Sequence, residues 1–277
     1  MAGPPRRRAK KAERANTRSD LVQRIIVAIP AIAYAIFIVA EGGLIFTIGL
    51  IPLGIVCLHE LYEMFDRAHP ARLAGMIGLV GMAFAAHYGG GYDLMLAMAA
   101  TVPITFGVTI MQGRGGAPGV SVTLLGIVWI AFGLAHAILL RDLPHGNGIV
   151  IDVLVGTFLG DTGAYLGGRA IGATPLAPRI SPNKTLEGLG VGIVVAVAAV
   201  WFAGLYQDWL SGTDAVLLGL AVAVLAPIGD LFESYLKRDA GTKDTGTLFG
   251  AHGGALDRLD AVLFTVVAGY YVWVGLL

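Results

Sequence analysis

Asp230, Glu233, Ser234 and Lys237 recur at i, i+3, i+4 and i+7, a spacing that puts all four on one face of a helix. The chain then presents Arg238, Lys243, Asp244, His252, Gly253 and Gly254 before returning through Asp257, Arg258 and Asp260. Cations, carboxylates and glycines interleaved in this way suit a metal-bound polyphosphate. Mg²⁺ prefers one or two carboxylates completed by phosphate oxygens and water. Lys and Arg offset the remaining anionic charge, and glycines let backbone N–H groups approach it. Attraction to lipid headgroups together with control of topology would account for the Lys and Arg alone. It leaves Asp230, Glu233, Asp244, Asp257 and Asp260 unexplained, because an anionic leaflet repels them. His252 reads as a turn residue or phosphate donor rather than a metal ligand, since no second histidine lies near it in sequence.

Two shorter clusters precede this block. Asp161 and Tyr165 stand one helical turn apart in DTGAYLGG. An ionisable group within an apolar run is costly and faces a partner or a wet cavity, which marks Asp161 as functional. Gly156, Gly160, Gly163 and Gly167 are spaced by four and three and read as a helix-packing face. The segment SPNKTLEG, from Ser181 to Gly188, opens with a Ser-Pro turn or helix-start signal. Within it, Lys184 is either a topology-setting charge or a point charge for a phosphate, and Glu187 is suited to the first turn of a helix.

The elements that must position these side chains are apolar helices. The chain is 56% hydrophobic and 14% charged over 277 residues, whereas an ordinary soluble domain is about 25% charged. That excludes a disordered chain, and the single Cys57 excludes an intramolecular disulfide framework. A helix crosses the hydrocarbon with about 20 mainly apolar residues. Such runs lie near 22–40, 43–59, 73–90, 94–111, 120–140, 148–168, 188–206, 214–236 and 259–277. The expected fold is therefore an all-α polytopic membrane protein of about nine spans. The first run could be misread as a cleaved signal peptide, but the eight runs behind it need no export signal to be removed.

The nominal neutrality, nineteen basic against nineteen acidic residues, conceals a separation. Residues 1–24 carry a net charge of +6 and the remainder −6. With the N-terminus cytoplasmic, eighteen of the nineteen Lys and Arg fall on the cytoplasmic side and Arg141 alone falls outside, as the positive-inside rule asks. The organisation expected is a basic tail over 1–21, a scaffold of about five spans over 22–149, and a catalytic region over 150–277 holding about four spans and two cytoplasmic loops.

The absence of GxxxxGK[ST], HExxH and GxSxG in the sequence argues against a P-loop ATPase, a zincin and a lipid esterase. The run from Ser234 to Asp260, S-x-L-K-R-x4-K-D-x-G-x2-F-G-x-H-G-G-x-x-D-R-x-D, resembles the signature of the phosphatidate cytidylyltransferase (CDP-diacylglycerol synthase) family. Gly229-Asp230, the SPxKTxEG segment and DTGAY resemble that family as well, and all four motifs stand in its order. Ala255 departs from the pattern, standing where the family usually carries a larger aliphatic residue. The resemblance covers the C-terminal 40 to 45% of the chain closely.

The resemblance implies an integral membrane enzyme that joins CTP to phosphatidic acid and releases CDP-diacylglycerol and pyrophosphate with a divalent metal such as Mg²⁺. It implies Asp230 and Asp257 as metal ligands, and Lys184, Lys237, Arg238, Lys243 and Arg258 as basic site positions. Asp244 and Asp260 would assist the metal carboxylates. Asp161, Tyr165, Ser181, Lys184, Glu187, Ser234, His252, Gly253 and Gly254 would line the substrates. The implied setting is the bacterial inner membrane with the site on the cytoplasmic side, a homodimer, and no nucleic-acid partner. Two other readings remain: a CTP-dependent kinase of a polyprenol-type lipid, and a transporter using Asp161, Asp230 and Glu233.

Overall fold

Long apolar runs become helices because a backbone out of water must satisfy its own N–H and C=O groups. The computed structural model describes residues 29–246 and 253–277; the basic tail and His252 lie outside them. In order, the described elements are α1 (Ile29–Glu41), α2 (Gly43–Met64), α3 (Arg72–Gln112), α4 (Gly116–Gly126), a π-helical turn (Ile127–Ala131) and α5 (Phe132–Asp142). These are followed by α6 (Gly146–Ile171), strands β1 (Pro175–Ala177) and β2 (Ser181–Thr185), α7 (Leu186–Gly204), α8 (Gly212–Asp239) and α9 (Leu256–Leu276). Seven helices are long and apolar enough to cross a membrane, with α4, the π turn and α5 counted as one. The protein is an all-α polytopic integral membrane protein.

The spans near 43–59, 120–140, 148–168, 188–206, 214–236 and 259–277 each coincide with one long helix. The runs at 73–90 and 94–111 fall on the two arms of α3, which meet at a kink where the backbone leaves helical geometry at Gly90, with φ 72° and ψ −159°. A residue with a Cβ is strained at that φ, so glycine permits the kink. A departure is β1–β2, an antiparallel pair pairing Pro175 with Thr185 and Ala177 with Ser181. It lies in the loop between α6 and α7 that composition left without structure.

Arg141, the lone cation assigned to the far face, has a structural task. Its Nε donates to the Val39 carbonyl at 2.7 Å and a terminal nitrogen donates to that of Ala40 at 3.2 Å. The last carbonyls of α1 have no partner inside their own helix, and Arg141 supplies one.

The C-terminal half is held by close approach of α6 to α7. A Cβ on Gly167 would lie 2.6 Å from Val191 Cβ, one on Gly163 2.7 Å from Val195 Cβ, and one on Gly188 2.7 Å from the Ala164 carbonyl oxygen. The four-and-three glycine spacing is thus a packing face, where small residues let backbones meet. Gly188→Ala meets backbone that cannot rotate away, so it should lower stability in detergent by about 1–3 kcal/mol, the usual range for overpacking. Gly190 has nothing within 4 Å of its missing Cβ, and Gly190→Ala should leave the unfolding midpoint unchanged or raise it. Equal midpoints for the two variants would contradict this packing.

Candidate active site

Alternation of the helices brings the C-terminal ends of α6 and α8 to the same end of the bundle as the N-terminal ends of α7 and α9, with the β1–β2 hairpin beside them. The polar residues singled out from the sequence collect there. The α8 stripe forms as its spacing requires. Ser234 Oγ donates to Asp230 Oδ1 at 3.5 Å, and Lys237 Nζ donates to Glu233 Oε2 at 2.6 Å. Lys237 also reaches across to α9, donating to Asp257 Oδ1 at 2.8 Å. The Glu233 side chain is 2% exposed, a depth at which a carboxylate needs a charged partner.

Asp257 is held from its other side. Its Oδ2 accepts from Gly254 N at 2.7 Å, Thr245 N at 3.1 Å and Thr245 Oγ1 at 3.0 Å. Gly253 has φ 79° and a Cβ there would run into Asp257 Oδ2, so the Gly253-Gly254 pair allows the loop to wrap this carboxylate. Lys184, projecting from β2, forms an ion pair with Asp230. Asp161 on α6 lies within electrostatic range of both Asp230 and Lys184. Asp260, buried at 8% exposure, lies within range of Asp230, Glu233 and Lys237. Asp161, Lys184, Asp230, Glu233, Ser234, Lys237, Asp257 and Asp260 therefore form one contiguous constellation drawn from α6, β2, α8 and α9.

The remaining positions stand around it. Arg238 donates from Nε to the Ile180 carbonyl at 3.2 Å and from a terminal nitrogen to that of Thr242 at 3.4 Å, tying hairpin and loop to the end of α8. Lys243, Asp244 and Arg258 are exposed, and the Asp244 carbonyl accepts from Thr242 Oγ1. Ser181 opens β2. Glu187 accepts from Ala173 N and Thr174 N, while Thr185 caps α7 by accepting from Gly188 N; both brace the hairpin. Tyr165 is 64% exposed, and its hydroxyl accepts from Arg169 at 3.4 Å instead of turning to the carboxylates.

A small cleft lies between α6, α7 and α8. Its walls are Gly156, Gly160, Ala164, Gly192, Ala196 and other small or apolar residues, with Asp161 as its ionisable member. Pro227, also in its wall, has no N–H to give the preceding turn, which leaves the Ala223 carbonyl without that partner.

Glu60 on α2 was not among the expected site residues. It is buried at 5% exposure, Oε1 accepts from Ala255 N at 3.0 Å, and Oε2 accepts from Leu256 N at 2.9 Å and Thr245 Oγ1 at 3.2 Å. In the sequence it is one acid at the end of an apolar run, and its partners lie 185 or more residues away. The only signal available was that acid itself.

The donor set fits a hard divalent cation. Five carboxylates meet two lysines here, and Glu233 Oε1 is buried with no hydrogen-bond partner among the described residues. Among the described residues, Asp230 Oδ1 receives only the long bond from Ser234. No three His, Cys, Asp or Glu side chains among the described residues converge as a ready cage, so other ligands would come from phosphate oxygens and water, the habit of Mg²⁺.

The family described as the cytidylyltransferase family matches residues 22–275. A phosphatidate cytidylyltransferase of Bacillus subtilis (strain 168) is 32% identical over 91% of this chain and 97% of its own length. One of Brucella suis biovar 1 (strain 1330) is 32% identical over 88% and 90%, and one of Helicobacter pylori (strain ATCC 700392 / 26695) is 46% identical over 42% and 43%. With its carboxylates and lysines gathered at one end of a membrane-helix bundle and this similarity running through nearly its whole length, the chain belongs to the cytidylyltransferase family.

Proposed function

We propose that the chain is a phosphatidate cytidylyltransferase, a nucleotidyltransferase that transfers the cytidylyl group of CTP to phosphatidic acid and forms CDP-diacylglycerol and pyrophosphate for phospholipid synthesis. The observation that carries this reading is the convergence of Lys184–Asp230 with Glu233–Lys237–Asp257 at one end of an apolar helix bundle. A water-soluble polyphosphate and a lipid phosphate can meet there.

A phosphatidate oxygen attacks the α-phosphorus of CTP, a new P–O bond forms, and the bond from the α-phosphorus to the bridging oxygen breaks, its electron pair leaving with pyrophosphate. Both reactants are anions, so the task of the protein is to hold them together against their repulsion. Lys184 and Lys237 stand in fixed positions to offset phosphate charge, and Arg238, Lys243 and Arg258 surround them. Asp230 and Asp257 would hold Mg²⁺, with Asp260 or Asp244 in support. Bound metal neutralises nucleotide phosphate charge and that developing on the leaving group. No general base is needed, because the second pKa of a phosphate monoester is about 6. The acyl chains enter sideways from the bilayer, past the Gly-rich α6.

The same reading places the enzyme in a bacterial inner membrane, its N-terminus and site facing the cytoplasm, where CTP is. It counts nine crossings, with α1 as one and α3 divided at Gly90. Purified protein should release pyrophosphate only when CTP, phosphatidic acid and Mg²⁺ are all present, and excess chelator should stop it until Mg²⁺ is restored. Release without lipid, or turnover indifferent to chelation, would overturn the proposal. A lipid-kinase reaction would yield CDP instead, and a transporter would move solute in sealed vesicles without nucleotide.

A further inference from the structure

We propose that Glu60 is a positioning residue for the transfer, by which the N-terminal half of the chain sets the loop between α8 and α9 and, through Thr245, the Asp257 carboxylate. The inference rests on the reaction proposed above. Both oxygens of Glu60 are engaged, and every donor belongs to the loop or to the start of α9: Ala255 N, Leu256 N and Thr245 Oγ1. The Thr245 hydroxyl lies within hydrogen-bond distance of Glu60 Oε2 at 3.2 Å and of Asp257 Oδ2 at 3.0 Å. One hydroxyl proton thus sits between a carboxylate of α2 and one of α9. Asp257 also accepts from Lys237, which in turn donates to Glu233, so a continuous polar chain runs from Glu60 into the α8 stripe.

The surroundings are shaped for this carboxylate. A Cβ on Gly254 would collide with Glu60 Oε2 and Thr245 Oγ1, and one on Gly246 would lie 2.6 Å from Glu60 Oε1. Two loop glycines therefore leave the space that Glu60 fills. The N–H groups it accepts lie at the start of α9, where the helix supplies no partner for its first donors and a negative charge is favoured by the dipole. Glu60 makes none of its recorded contacts with Lys184, Asp230 or Lys237. It acts on the reacting groups only through where it holds Asp257.

Glu60→Gln keeps shape and volume but loses the charge and turns one acceptor into an NH₂ facing donors. Residues that orient a metal-binding carboxylate typically matter by about 10- to 100-fold, and the loss expected here is in kcat. KM for CTP should stay within about threefold, because changes confined to kcat remove interactions made in the transition state. Amide exchange at Ala255 and Leu256 in the full-length detergent-solubilised protein should rise, while that of α6 and α7 stays as in the unsubstituted protein. Thr245→Val should cost kcat as well, and the double variant should lose far less than the product of the two single losses, as expected for residues in one network. Unchanged kcat in Glu60→Gln, a product-like loss in the double variant, or exchange rising equally through the whole bundle would overturn the proposal. If unsubstituted protein forms no CDP-diacylglycerol, the reaction assignment fails. The exchange measurement then still decides whether Glu60 sets the loop.

Discussion

Asp257→Asn should reduce CTP-dependent pyrophosphate release by at least about 100-fold, the scale seen when a preorganised electrostatic contact to the transition state is lost. The substitution keeps shape and removes charge. It also makes one of the two terminal positions an NH₂, which must face either Lys237 Nζ or the donors from Gly254 and Thr245 that Oδ2 now receives. Either orientation sets donor against donor and moves the side chain from its place. Asp230→Asn should cause a similar loss for a simpler reason. Its pair with Lys184 is partly open to solvent, at 28% and 30% exposure, so the fold loses little while the site loses a carboxylate. Both variants should insert and accumulate normally. Either one, purified and fully active, would contradict the assignment of these carboxylates.

The largest stability effect should come from Lys237→Met. The ammonium lies between Glu233 Oε2 at 2.6 Å and Asp257 Oδ1 at 2.8 Å, and Glu233 Oε1 has no hydrogen-bond partner among the described residues. Removing one partner of a buried pair typically costs about 3–5 kcal/mol, because the other charge is left buried without compensation. Replacing both members with groups of similar volume costs far less, so Lys237→Met with Glu233→Gln should recover much of the loss. The check is equilibrium unfolding in mixed micelles. A single variant within about 1 kcal/mol of the unsubstituted protein, below the range for breaking such a pair, would show that this pair does not carry the predicted load.

How far the sequence could be read depended on the distance over which each relation acts. The α8 stripe was legible because Asp230, Glu233, Ser234 and Lys237 belong to a single helix whose period is known. The glycine face of α6 was legible for the same reason, and α7 meets it. The Lys184–Asp230 pair joins residues 46 apart, and the Glu60 contacts join residues nearly 200 apart; no local pattern encodes either. The division of the chain into scaffold and catalytic region failed to foresee that α2 reaches the site. Hydropathy located the apolar runs and broke the 73–111 stretch at its glycines and Asp93, where α3 kinks at Gly90. The β1–β2 hairpin had no alternating pattern to announce it, since three residues in one strand and five in the other hold too few side chains to show a period.

The reaction itself separates the readings most sharply when CTP is labelled at one phosphorus at a time and offered with phosphatidic acid and Mg²⁺. With the α-phosphorus labelled, the lipid product should carry the label as CDP-diacylglycerol. With the γ-phosphorus labelled, the label should appear in pyrophosphate and none in lipid. Label from the γ-phosphorus in the lipid, with CDP left behind, would mean phosphoryl transfer to the lipid and would contradict cytidylyl transfer by this site.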